Sequence, residues 1–118
     1  MAKKNSSYLD DQSWTDVRDG MRIDWDVPIK MDDGVVLRCD VYRPIKNGKY
    51  GVIMTLGPYG KFLHFNEIYE DQFVRMSEDF PEVPSETTNK YQNWEVVDPE
   101  KWVPDDSVCV RVDSRGAG

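Results

Sequence analysis

Histidine is almost missing from this chain: His64 is the only one among 118 residues. Cysteine is nearly as scarce. Cys39 and Cys109 stand alone, with no C-x-x-C pair and no histidine cluster near either. These absences exclude the familiar zinc and iron–sulfur ligand spacings, so neither a metal nor a cofactor is expected. Two isolated cysteines read as free, buried thiols of a cytoplasmic protein, not as a disulfide. Positive charge is in short supply too, with 15 Lys and Arg against 22 Asp and Glu and a formal net charge of -7. Phosphate contacts need clustered cations, which excludes nucleic acid as an expected partner, and the Lys3–Lys4 pair is too short to change that. No apolar run approaches the roughly 18 residues of a membrane span, and the N-terminus has no signal-peptide core, so no membrane partner is expected either. Repeats and low-complexity tracts are absent, and no serine lies in a G-x-S-x-G context.

What is present is ordinary for a globular chain. Hydrophobic residues make up 39% and charged ones 31%, a balance that argues against disorder. Aromatics reach 12%, with four tryptophans, which points to dense packing or a ligand-lined cleft. The length suits one small domain or one piece of a larger one.

Residues 1–22 read as a polar lead-in, with a helical turn expected around Ser13–Asp16 under a Ser13 cap and closure at Gly20. In Ile23–Met31, Ile23, Trp25, Val27 and Ile29 alternate with charged residues and Pro28. That is a strand, and Pro28 places it at a sheet edge. Asp32-Asp33-Gly34 supplies a tight turn, and Val35–Arg43 alternates again, so the two runs form a β-hairpin. Tyr50–Leu56 is almost continuously apolar, the pattern of a strand buried on both faces, and it empties into Gly57-Pro58-Tyr59-Gly60. From Phe62 to Phe80 the apolar residues fall three or four apart, as in a helix. Residues 81–93 read as irregular, and Asp98-Pro99 is a helix start. Val108–Asp113 is a second buried strand that breaks into Ser114-Arg115-Gly116-Ala117-Gly118. Hairpin, buried strand, helical excursion and buried strand are the opening of an α/β sheet.

Few residues here carry chemistry by themselves. Ser114, in D-S-R-G, shares half of a nucleophile motif, but aspartate stands where the first glycine belongs. His64 reads as a packing or surface residue near a helix start. Asp32-Asp33 and Asp105-Asp106 are solvated turn pairs, and Gly116-Ala117-Gly118 lacks the further glycine and helix of a phosphate loop. Tyr59 is different, because loops at the carboxyl ends of buried strands are where open α/β sheets place ligands. Its hydroxyl has two readings: donor to a developing oxyanion, or a ring packed over the end of the sheet.

The stretches VPIKMDDGVVLRCDVYRP, GVIMTLGPYGK and NWEVVDPEKWVPDDSVCVRVDSRGAG resemble, in that order, the acyl esterase and X-prolyl dipeptidyl peptidase family (the CocE/NonD hydrolases, which include cocaine esterase). The resemblance covers most of the chain from Ile23 onward. It implies a partial α/β-hydrolase fold: the N-terminal β-hairpin and first central strands, a helical excursion between them, and truncation before the nucleophile elbow. Residues 23–118 would be the N-terminal portion of that domain. The resemblance makes Tyr59 the oxyanion-hole hydroxyl and gives the Asp113–Gly116 loop a structural role. The family's serine, aspartate and histidine lie further along than this chain reaches, and His64 is not at the histidine position. The expectation is an N-terminal fragment of a serine hydrolase for acyl esters or Xaa-Pro dipeptidyl amides, inactive alone, with a small ester or peptide as the substrate of the intact relative. The alternatives are a non-catalytic remnant or interaction protein, or one half of a split hydrolase completed by a separate C-terminal chain.

Overall fold

Two turns that need left-handed backbone set the first three strands. In a computed structural model, which describes residues 13–57, 61, 70–93 and 96–114, β1 (Trp14–Arg18) turns through Asp19 and Gly20 into β2 (Met21–Lys30). Asp19 and Gly20 have φ of 52° and 78°, the pair of positive values that a two-residue primed hairpin turn requires. The Asp33-Gly34 turn then leads to β3 (Val36–Arg43), with Gly34 at φ 90° and its N–H donating to Met31 O at 3.0 Å. The expected hairpin is therefore present, with the Asp33 carboxylate accepting the Val35 N–H at 3.1 Å.

The helical turn expected at Ser13–Asp16 is not formed. Trp14–Arg18 instead pair antiparallel with β2, from Trp14 opposite Trp25 to Arg18 opposite Met21, so residues 14–22 of the segment read as a lead-in belong to the sheet. Local capping loses here to tertiary contact. The Trp14 ring stacks on Trp25 at 5.5 Å, and the Arg18 guanidinium lies over the Trp25 ring at 5.3 Å. β2 is accordingly flanked on both sides, but β1 reaches only as far as Trp25. Pro28 pairs with Arg38 of β3 beyond the end of β1, where no described residue pairs with the other side of β2. The proline constraint is met locally and not by the strand's rank in the sheet.

The chain continues through β4 (Gly51–Gly57), α1 (Glu70–Asp79) and the short α2 (Pro99–Trp102), which runs into a 3-10 turn at Val103–Asp105 and then β5 (Ser107–Asp113). The result is a mixed α/β fold with a five-stranded sheet in the order β1-β2-β3-β5-β4. β5 lies antiparallel to β3 and parallel to β4, so the long excursion after β4 is a crossover connection. α2 begins as expected: the Asp98 carboxylate accepts the Glu100 N–H at 3.1 Å, and Pro99 takes the first turn. Of the expected 62–80 helix, α1 carries residues 70–79, and residues 62–69 lie outside the described part.

Pairing register gives the sheet two unlike faces. One carries Met21, Ile23, Tyr42, Cys109 and Arg111, and it is covered by Tyr91, Val97 and Val103 to form the core. The irregular 81–93 stretch thus contributes buried side chains at Tyr91, Gln92 and Asn93. The other face carries Val41, Val110, Val52, Met54 and Leu56. Here the reading of Tyr50–Leu56 as doubly buried is corrected. β4 is at the sheet edge, and Val52, Met54 and Leu56 are 60%, 65% and 63% exposed. An apolar run favours burial, but only neighbouring elements deliver it. β5 lies inside the sheet between β3 and β4, with Cys109, Arg111, Val112 and Asp113 buried. Cys39 and Cys109 are both buried and free, and the register places them on opposite faces.

Candidate functional site

The parallel pair β4–β5 ends together, with Gly57 opposite Asp113. Carboxyl ends of adjacent parallel strands are where α/β folds gather functional loops. Tyr59, the candidate oxyanion donor, follows β4 in the sequence and falls outside the described residues, as do His64 and Gly116–Gly118. What the structure describes is the frame on either side of residues 58–60, and it converges on Lys61.

Every polar group of Lys61 is engaged. Its backbone N–H donates to Asp113 Oδ1 at 2.7 Å, and its carbonyl accepts from Asn93 Nδ2 at 2.7 Å. Its ammonium pairs with the carboxylate of Asp26 and, at 3.2 Å, with Asp40 Oδ1. A β-bulge brings Asp26 into position: the β2–β3 register shifts between Asp24 and Val27, and Asp26 itself sits at φ 53°. The bulge is pinned on both sides, by the Asp26 N–H donating to Asp40 Oδ1 at 2.9 Å and by Arg38 Nη1 donating to Asp26 O at 3.0 Å. Asp113 thus touches the described residues on both sides of 58–60, through its strand pairing with Gly57 and through its carboxylate on Lys61.

Burial decides the electrostatics. Asp40 is almost wholly enclosed, and desolvation pushes its carboxyl above the ordinary range against the Asp26 N–H and Lys61, which pull it down. Burial also works against the Lys61 charge, but the Asp26 hydrogen bond and the Asp40 carboxylate outweigh it and hold the ammonium above the usual lysine range. A lysine kept protonated and paired is no general base or nucleophile at neutral pH. The cluster is a polar lock, and its chemistry is to hold geometry. Among the described residues no three metal-type side chains converge as an ion site, and no helix is long and apolar enough to cross a membrane.

Ser114 directly follows β5 and is half-buried. Arg111, which sequence reasoning passed over, is buried beneath the core face. Its Nη2 donates to Val97 O at 2.9 Å, its guanidinium lies 5.1 Å from the Tyr42 ring centroid, and burial lowers its pKa. Asp26, Asp40, Lys61 and Asn93 were likewise passed over. They lie far apart in the chain, and only the bulge and the β4–β5 crossover bring them together.

The sheet with its polar lock at the carboxyl ends is that of a hydrolase-like α/β protein, and comparison with solved structures gives the same class. The chain matches a crystal structure of a CocE/NonD family hydrolase from Staphylococcus aureus with 31% identity and a TM-score of 0.62, over 83% of this chain and 16% of that one. A second crystal structure of that hydrolase matches with 26% identity and a TM-score of 0.66, over 100% of this chain and 21% of that one. The chain therefore resembles the CocE/NonD hydrolases in fold and in sequence, and it spans between a sixth and about a fifth of the solved relative's length. No protein-family profile matches the chain, and no curated protein does.

Proposed function

We propose that this chain is the N-terminal part of a serine hydrolase acting on acyl esters or Xaa-Pro dipeptidyl amides, with Tyr59 as an oxyanion-hole donor. The observation that carries this reading is the 31% identical match to a CocE/NonD hydrolase. The lock that ties Lys61, two residues after Tyr59 in the sequence, to Asp113 supports it. In the whole enzyme a serine on a later elbow attacks the acyl carbonyl and histidine takes its proton. The Tyr59 hydroxyl donates to the oxygen that becomes negative. The chain contains no G-x-S-x-G serine, so the proposal requires that it be inactive alone.

The test has two stages. Sequence downstream of the Gly118 codon is read for a G-x-S-x-G elbow, and the polypeptide that includes it is assayed on a p-nitrophenyl ester. Tyr59→Phe should then lower kcat by about 10²–10³-fold with the fold intact. Unchanged turnover would remove Tyr59 from the mechanism.

A second reading is favoured by the uncovered edge strand. Val52, Met54 and Leu56 point out from β4 unshielded, as they would in a non-catalytic interaction protein or in one half of a split hydrolase. A separately encoded chain that carries the elbow and restores esterase activity on mixing would establish the split form.

A further inference from the structure

The opposite, amino end of the parallel pair holds a pocket of about 610 Å³ that the proposed hydrolase chemistry does not use. It lies between the sheet and the connection from β3 to β4. Val41, Val108 and Tyr50 provide its apolar surface, and Asp24, Arg43 and Lys46 its charge. The connection is shaped before any ligand arrives. The Tyr50 hydroxyl donates to Lys46 O, and Gly48 leaves room for the Tyr50 ring, which a Cβ there would meet at 3.2 Å.

The charges at its rim do not balance. Arg43 lines the pocket and Arg22, its partner across β2 and β3, lies behind it; among the described residues both lean on the carboxylate of Asp24. Asp24 Oδ2 takes Arg43 Nη2 at 3.2 Å, while Oδ1 already accepts the Thr15 hydroxyl at 2.7 Å and is 3.9 Å from Arg22 Nε. Each guanidinium offers five donors. The buried Nε of both arginines has no acceptor among the described residues. Among the described lining residues, Lys46, exposed on the connection, is a second cation beside Arg43 against the one carboxylate of Asp24, in a chain whose net charge is -7.

We propose that this pocket binds a small organic carboxylate, its charged end on Arg43 and Lys46 and its hydrocarbon body on Val41, Val108 and Tyr50. Guanidinium and ammonium donors reward an anion. The apolar floor rewards a carbon chain, which bare phosphate lacks. The site is independent of the hydrolase reading and stands or falls without it.

The test is a titration of the ¹⁵N-labelled chain with butyrate, 1-butanol and inorganic phosphate, followed through the amides of residues 46–50 and Val108. Butyrate is expected to give saturable shifts confined there, about tenfold tighter than either comparison ligand and weakening with added salt. Lys46→Met, on an exposed loop, should weaken butyrate several-fold and leave butanol unchanged, and Arg43→Gln should weaken it further. Equal affinity for butyrate and butanol would overturn the anion assignment. Phosphate binding as tightly as butyrate, or no saturable shift with butyrate, would overturn the site.

Discussion

A carboxylate removed from water is costly unless its oxygens are occupied. Asp113 shows how this requirement becomes architecture. It is 4% exposed, closes the β4–β5 ladder opposite Gly57, and spends Oδ1 on the Lys61 N–H. Asp113→Ala strands that N–H, and the expected loss is about 1–3 kcal/mol. Hydrogen exchange at the Lys61 amide should accelerate while amides of the Ile23–Tyr42 pair keep their protection. Asp113→Asn retains an acceptor and should recover most of both effects. If the alanine variant leaves Lys61 exchange unchanged, the tie between Asp113 and the loop is not what holds it.

Edge strands present unpaired backbone donors and acceptors, and proteins that stay monomeric blunt them with charge, proline or bulges. β4 has none of these between Gly51 and Gly57, and its outward side chains are Val52, Met54 and Leu56. Self-association through this edge is the expected behaviour of the isolated chain at high concentration. Met54→Lys puts a charge at a position that is 65% exposed. It should lower concentration-dependent light scattering while changing stability by no more than about 0.5 kcal/mol. Scattering that persists unchanged would place the association elsewhere. The same strand shows the limit of pattern reading. YGVIMTL is apolar enough for a two-faced core strand, yet the sheet order puts it outermost.

For the molecule as a whole, five of the groups that titrate at alkaline pH share a direction, although burial lowers Arg111. Burial raises the Cys39 and Cys109 thiols from 9.0 and the Tyr42 and Tyr91 phenols from 10.0, and the Asp26 and Asp40 carboxylates hold Lys61 above 10.5. Each keeps its proton in the fold at a pH where the unfolded chain has released it. Their contribution to stability is therefore complete below about pH 9 and is lost as pH rises through the folded values. The melting temperature should fall steeply between roughly pH 9 and pH 11, and Tyr42→Phe should flatten part of that fall. A melting temperature constant across this range would contradict the linkage.

Much of this protein was determined by local sequence. Asp33-Gly34 between alternating runs dictates the hairpin, Asp98-Pro99 dictates the start of α2, and the valine alternation before Asp113 dictates β5. Each rests on backbone conformations or periodicities that a few adjacent residues control. The motif-bearing stretches also carried the CocE/NonD likeness that the solved structures then showed. Tertiary structure alone decided the rest. Trp14–Arg18 became a strand because Trp25 lay opposite to stack against, and Pro28 fits an inner strand because β1 stops short of it. Asp26, Asp40, Asn93 and Asp113 meet at Lys61 because a bulge and a crossover overcome their separation in the chain. Periodicity reports which side of an element is apolar. It carries no information about what stands across from it, and burial, charge pairing and the lock around Lys61 all depend on that.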